Sequence, residues 1–255
     1  MKTKREVKDA LMAETYAIKE DLIGIFGEHG PEHIADIGAC DGLSSIAYAK
    51  MFPKTTIHAM EPRTDNFNEM QENIKEYGFE DRIFPIKTAL GQTEGEVRFF
   101  VSEGQAPKVK TWNTGNKSSS IYPPLHHLKV HPWCKFEISK CHIMPLDGLF
   151  APPFNIMPFD FIHIDVQGAE LDVFKGGKEA LSYAMAVWCE VSNIELYKGQ
   201  PMKAEMVDYM DKHDFVVSKD TCELKCGDCF FTRKMSFSEE RVEYKHVSSG
   251  FYSVS

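Results

Sequence analysis

The chain has 255 residues, 43% of them hydrophobic, and carries 29 Lys plus Arg against 38 Asp plus Glu, a net charge of −9. That length suits one α/β domain with decoration, or at most two small domains, and the apolar share is enough for a packed core. The acidic balance argues against a nucleic-acid partner, which needs a basic surface to meet phosphates, and no uninterrupted apolar stretch is long enough to span a bilayer.

The start, Met1 to Lys8, is charged, and no apolar stretch of a secretory leader follows, so a cytoplasmic protein is expected. From Lys4 to Phe26, Val7, Leu11, Ala17, Ile18, Leu22 and Ile25 recur at roughly helical spacing, which predicts one N-terminal amphipathic helix within 1–32. A core over 33–234 follows. His33 to Ala39 reads as a buried strand, Leu43 to Phe52 as a helix and Thr56 to Glu61 as a second strand. Thr64 to Tyr77 is a helix with Phe67, Met70 and Ile74 on one face, stopped by Gly78, and Arg82 to Leu90 is a third strand. This alternation implies a parallel sheet with helices on both faces.

The rhythm breaks after Glu94. Val97 to Val101 is expected as an extra strand, and 102–141 reads as an irregular insertion rich in Ser, Pro, Lys and His. Order returns with an apolar strand, Phe159 to Val166, a helix from Ala169 to Tyr183, a strand from Ala186 to Val191 and a helix from Met202 to Lys212. Phe215 to Lys219 and Cys229 to Arg233 read as an antiparallel hairpin, and 235–255 as a polar, loosely held tail. The expected whole is a single doubly wound α/β domain with a mostly parallel seven-strand sheet.

Three strand ends carry chemistry. The first runs into Asp36-Ile-Gly-Ala-Cys-Asp-Gly42. Glycines there let the backbone turn sharply and approach a ligand, and the following helix offers unpaired N–H groups. Gly38 and Gly42 lack the third glycine of a dinucleotide fingerprint, which disfavours NAD and FAD. The second strand ends in Glu61-Pro62, where a carboxylate can accept from both hydroxyls of a ribose; its plainer reading is a solvated helix start. The last apolar strand ends in Asp165, and an aspartate in so apolar a run is costly unless paired or functional. Its plainer reading is a cap for the following helix. Phe161, His163 and Asp165 alternate onto one face. A mid-strand histidine such as His163 is more often a satisfied core residue than a base, while Glu170 and Glu190 lie near strand ends and can border the pocket.

The stretch Phe161-Ile-His-Ile-Asp-Val-Gln-Gly-Ala-Glu-Leu-Asp-Val-Phe-Lys-Gly176 resembles the FkbM-like O-methyltransferases. Asp36 to Gly42, Glu61-Pro62, Ala89-Leu-Gly91, Leu146-Asp147, Glu190-Val-Ser192 and Glu195-Leu-Tyr197 agree with that family in order and spacing, so the resemblance covers about Ile34 to Arg233. One departure is Cys40, where the family often carries Asn.

The resemblance implies a Rossmann-like class I methyltransferase fold and S-adenosylmethionine as cofactor. Asp36, Gly38, Ala39, Asp41 and Gly42 would wrap its methionine part, Glu61 would hold the ribose, and Thr88 and Ala89 would flank the adenine. Asp165 would face the methionine end and the acceptor, a glycan or other polyhydroxylated small molecule. Asp165, His163 and Glu190 are the catalytic candidates. Ser119, Ser120 and Tyr122, in a serine-rich stretch, and Glu170 are the candidate substrate contacts. Asp165 and Glu190 can also serve as oxygen ligands of Mg²⁺, but two carboxylates are too few to define a metal site. A catalytically silent cofactor-binding scaffold is the competing reading, and loss of Asp165 or Glu61 would have marked it.

Two further patterns suggest metals. Cys222, Cys226 and Cys229 have the spacing of radical S-adenosylmethionine iron–sulfur proteins, but too little chain follows them for a barrel, so they are expected as small apolar fillers of a hairpin. His126, His127, His131 and Cys134 match no strong zinc pattern. The seven cysteines, odd in number and scattered, are expected as free thiols.

Overall fold

The N-terminal amphipathic pattern folds as two helices rather than one. In the computed structural model, which describes residues 4–13, 15–106 and 115–234, α1 (Lys4–Leu11) and α2 (Lys19–Phe26) flank a 3₁₀ turn, Thr15–Ile18. The break lets Met12 and Ile18 sink into the core together with Leu22. Lys8 is also buried there and donates from Nζ to Glu76 at 2.5 Å, which supplies its charge with a partner.

The chain then alternates: β1 (His33–Ile37), α3 (Leu43–Met51), β2 (Thr56–Met60), α4 (Thr64–Tyr77) and β3 (Ile83–Ile86). The expected third strand, Arg82 to Leu90, is split. β3 stays in the main sheet, whereas β4 (Ala89–Gly91) joins a second, three-stranded sheet with β5 (Gly95–Glu103) and β6 (Lys135–Pro145), in the order β4-β6-β5. β6 begins inside the segment expected to be irregular. In its first half Phe136 and Ile138 alternate with Lys135, Glu137 and Ser139, but Lys140 ends that rhythm after two apolar positions, too short a run to read as a strand, and the backbone ladder to β5 holds it. Between β5 and β6 the described residues include a 3₁₀ turn, Gly115–Lys117, and α5 (His127–Val130).

β7 (Phe161–Ile164) returns to the main sheet. The single helix expected from Ala169 to Tyr183 is two, α6 (Glu170–Lys175) and α7 (Lys178–Tyr183). Between them, a Cβ on Gly176 would stand 1.9 Å from the carbonyl oxygen of Gly91, so only glycine lets this corner close on β4. β8 (Ala186–Ser192), α8 (Lys203–Asp211), β9 (Phe215–Asp220) and β10 (Cys226–Arg233) complete the described chain. The expected tail, 235–255, lies outside the described residues.

The seven-stranded sheet has the order β3-β2-β1-β7-β8-β10-β9, parallel except for β10. Helices cover both faces, each over its own apolar cluster. Ile162, Ile164, Val187 and Cys189 face Phe174 and Leu181 on one side, and Ile34, Phe161 and Phe230 face Leu22 and Tyr48 on the other. The strand order reverses direction between β1 and β7, and such a switch point opens a crevice at the carboxyl ends of the strands. No helix among the described residues is long and apolar enough to cross a membrane.

Candidate active site

A cavity of about 360 Å³ occupies that crevice. Its floor is the turn after β1, where Gly38, Cys40 and Gly42 have φ of 85°, 51° and 75°. A Cβ on Gly38 would lie 1.9 Å from the backbone oxygen of Asp165, so glycine is what allows the ends of β1 and β7 to meet. Asp165 N–H donates to Ile37 O at 2.9 Å and extends that ladder by one residue. Gly38, Ala39 and Asp41 line the cavity, whereas Gly42 sits behind the wall against Met70.

Glu61, 5% exposed, stands at the end of β2 and lines the cavity. Its carboxylate accepts from Cys40 N–H at 3.0 Å and Arg63 N–H at 2.7 Å. Burial nevertheless outweighs those bonds and pushes its pKa up to about 7. Thr88 and Ala89, at the crossing from β3 to β4, line the same side, with the Thr88 hydroxyl bonded to Ala89 O at 2.9 Å.

Asp36 is almost fully buried beneath this floor. Ser45 Oγ donates to it at 2.5 Å, and His163 Nδ1 lies 3.4 Å away without forming a hydrogen bond. Burial raises the Asp36 pKa despite these partners. His163 itself faces the cavity.

Beyond it lies a cluster of three carboxylates. Oxygens of Asp165, Glu170 and Glu190 all fall within 4.8 Å of one another, and among the described residues no other three His, Cys, Asp or Glu side chains converge in this way. Asp165 is exposed to the cavity, Glu190 is half-buried and Glu170 is buried. Burial, reinforced by the charge of Asp165, pushes the Glu170 pKa up to about 7 and that of Glu190 far above the usual carboxylate range. Glu170 accepts from Val166 N–H at 3.0 Å and Gly168 N–H at 3.1 Å, bracing the turn after β7.

Gln167 joins the cluster to its surroundings. It sits at φ 57°, in the left-handed region that costs energy for a residue with a side chain. Its Nε2 donates to Asp165 Oδ1 at 2.7 Å and to Glu190 Oε2 at 2.9 Å, and its Oε1 accepts from Tyr197 Oη at 2.9 Å. Its backbone oxygen accepts from Ser120 Oγ at 2.7 Å.

Ser120 belongs to a strap over the cavity mouth. Asn116 and Asn66 are doubly hydrogen-bonded, Lys117 Nζ lies 3.6 Å from Asp41, and Ser119 Oγ accepts from Ser102 N–H at 3.0 Å. Ser119 and Ser120 line the cavity.

Two expected substrate contacts do not. Tyr122 turns outward and donates to Asp172 at 2.6 Å, and Glu170 is spent on the turn behind the wall. The two metal-like spacings do not bring three ligand atoms together among the described residues: Cys222 and Cys229 are buried while Cys226, expected as an apolar filler, is exposed, and His127 packs against the rings of His131, Phe136 and Tyr197. Gln167, Asn116, Trp188 and Asp228 line or brace the cavity without having been singled out from sequence. Two-residue alternation back from Glu190 would have found Trp188, and Gln167 stands inside the Phe161–Gly176 stretch that carries the resemblance; Asn116 and Asp228 carry no sequence signal of their own.

The sheet order, the glycine turn and the acid at the end of β2 define a class I methyltransferase with a Rossmann-like fold. The methyltransferase FkbM domain model matches residues 36–217. A 2-O-methyltransferase NoeI from Sinorhizobium fredii is 30% identical over 217 residues, which are 83% of this chain and 85% of the relative. The crystal structure of a methyltransferase FkbM from Methylobacillus flagellatus superposes with a TM-score of 0.50 at 15% identity, over 79% of this chain but 43% of that one, so this chain spans less than half of that protein. The chain belongs to the FkbM methyltransferase family and is an S-adenosylmethionine-dependent O-methyltransferase.

Proposed function

We propose that the chain methylates a hydroxyl of a glycan or another polyhydroxylated small molecule, with Asp165 taking the proton. The observation that carries this reading is the exposure of Asp165 into the cavity at the end of an otherwise buried strand, beside two acids that burial drives to hold protons. S-adenosylmethionine supplies an electrophilic methyl group on sulfur. Its fit rests on two cavity-lining acceptors: Asn116 Oδ1 is buried without a hydrogen-bond partner, and Asp41 Oδ2 has only the Lys117 ammonium at 3.6 Å, beyond hydrogen-bonding reach. A methionyl ammonium is a donor of the kind they lack, and the backbone from Asp36 to Gly42 curves around that position. Glu61 would accept from the ribose hydroxyls. Thr88 and Ala89 would flank the adenine.

Asp165 then faces the acceptor. Asp165 would accept the proton of the acceptor hydroxyl as that oxygen takes the methyl group, an assistance of roughly 10²–10⁴-fold. Gln167 holds Asp165 and Glu190 in place by donating to both. His163 acts as a wall, Ser119 and Ser120 as polar contacts at the mouth. The test is incubation with methyl-labelled S-adenosylmethionine and glycans extracted from the source organism. A labelled methyl ether is expected, and adding EDTA with and without Mg²⁺ separates a direct base at Asp165 from a metal-ligating one. Binding of S-adenosylhomocysteine with no labelled product would favour the silent scaffold instead.

A further inference from the structure

The cavity is acidic. Asp36, Asp41, Glu61, Asp165, Glu190 and Asp228 line it, and among the described lining residues Lys117 is the one Lys or Arg. Lys117 comes from neither the seven-stranded sheet nor its helices. It ends the 3₁₀ turn Gly115–Lys117 in the strap between β5 and β6. The strap backbone is held on both sides of it. Gly115 N–H donates to Gly104 O at 3.1 Å, Asn116 exchanges hydrogen bonds with Asn66 at 3.0 and 3.1 Å, and Ser118 N–H donates to Ser102 Oγ at 3.0 Å. A Cβ on Gly115 would stand 2.3 Å from Gly104 N, so the strap lies flat on the end of β5. From this fixed base the Lys117 ammonium reaches to 3.6 Å from Asp41 Oδ2.

Asp41 is as firmly placed. Its Oδ1 accepts from Leu43 N–H at 3.3 Å, its backbone oxygen accepts from Asn73 Nδ2 at 2.7 Å, and its Oδ2 is buried with no hydrogen bond. Two opposite charges therefore face each other across the cavity wall without closing a hydrogen bond. A ligand that brought only a cation here would meet Lys117. One that brought only an anion would meet Asp41 and the acids beyond it. A group carrying an ammonium and a carboxylate on the same carbon satisfies both partners at once, and each contact is charge-assisted. The amino-acid end of S-adenosylmethionine and of S-adenosylhomocysteine is such a group.

We propose that Lys117 is a specificity residue for the cofactor: its ammonium takes the methionyl carboxylate while Asp41 takes the methionyl ammonium. This rests on the placement of the methionine end at the Asp36–Gly42 turn made above, and it adds the residue that selects the carboxylate in an otherwise acidic cavity. Because the strap carries Lys117, the amino-acid end ties the strap to the turn after β1. A nucleoside that lacks the amino acid leaves that tie unmade.

The test is calorimetric titration of the full chain with three ligands: S-adenosylhomocysteine, its decarboxylated form, which keeps the ammonium, and 5′-methylthioadenosine, which has neither charge. Lys117→Met keeps an unbranched stem and removes the charge. It should weaken S-adenosylhomocysteine about fivefold or more and 5′-methylthioadenosine less than about twofold, and the decarboxylated ligand should bind as well as before or more tightly. Lys117→Arg should stay within about threefold of the wild type for all three. Raising NaCl from about 50 to about 500 mM should weaken S-adenosylhomocysteine binding more in the wild type than in Lys117→Met. The proposal is overturned if Lys117→Met binds S-adenosylhomocysteine unchanged, which would give the carboxylate to the backbone N–H groups at the start of α3. It is also overturned if the variant loses all three ligands equally, which would make Lys117 only an anchor of the strap. A wild type that binds S-adenosylhomocysteine no more tightly than 5′-methylthioadenosine would instead strike the placement of the methionine end.

Discussion

Cofactor affinity should depend on pH through Glu61. In the free protein burial raises its pKa to about 7, against an ordinary 4.5. Ribose hydroxyls are donors, so the binding-competent form is the carboxylate, and binding must expel any proton that Glu61 holds. The apparent dissociation constant should therefore scale as one plus the ratio of protonated to ionised Glu61. That factor is close to one at pH 8, about two at pH 7 and about ten at pH 6, a loss of roughly 1.4 kcal/mol between the ends. Calorimetric titration of S-adenosylhomocysteine from pH 8 to 6, in buffers of different ionisation enthalpy, reads both the affinity and the proton released. Glu61→Gln should weaken binding at pH 8, by about 2–4 kcal/mol if two charge-assisted bonds are lost, and should flatten the pH response. A wild-type affinity that is level across this range, with no proton release, would refute the ribose role of Glu61.

The carboxylate cluster makes a second pH prediction. Gln167→Leu removes the donor shared by Asp165 and Glu190, so the acidic limb of the kcat profile should move to higher pH and kcat should fall about tenfold; an unmoved profile would show that Gln167 only braces the turn. Gly38→Ala forces a Cβ into the Asp165 carbonyl and should cost about 2–4 kcal/mol of stability together with cofactor-product binding. Gly176→Ala meets the Gly91 carbonyl just as closely, but neither residue lines the cavity, so thermal melting should show a similar loss while S-adenosylhomocysteine affinity falls much less than in Gly38→Ala. Equal behaviour of the two glycine variants in the binding assay would contradict the placement of the cofactor at Gly38.

The parts of the fold legible in the sequence are those where burial imposes a rhythm. β7 is apolar at all but one position because helices cover both of its faces, and the glycine turn after β1 announces itself through Gly38 and Gly42. What stayed hidden was set by tertiary contact. β6 alternates only over Phe136 and Ile138 before Lys140 breaks the run, the Gly176–Gly177 corner is dictated by β4, and the 3₁₀ turn at Thr15–Ile18 follows from Met12 and Ile18 burying against α3. The site followed the same division. Glu61 and Asp165 stand out as acids at the ends of apolar strands. Glu170 also lies near a strand end, yet its carboxylate folds back onto the turn, a choice made by local backbone N–H groups that no spacing rule records. Tyr122 turns away from the cavity because Asp172 accepts its hydroxyl from a helix fifty residues later.

Single-turnover methyl transfer by Asp165→Asn tests the account most directly. Asn keeps the shape and a hydrogen-bonding group while removing the charge that accepts the proton. With preformed S-adenosylmethionine complex and a saturating glycan acceptor, the rate should fall roughly 10²-fold or more. Affinity for S-adenosylhomocysteine should change less than about tenfold. A variant that transfers the methyl group at the wild-type rate would make Asp165 a structural cap and move the catalytic role to another group on the cavity wall.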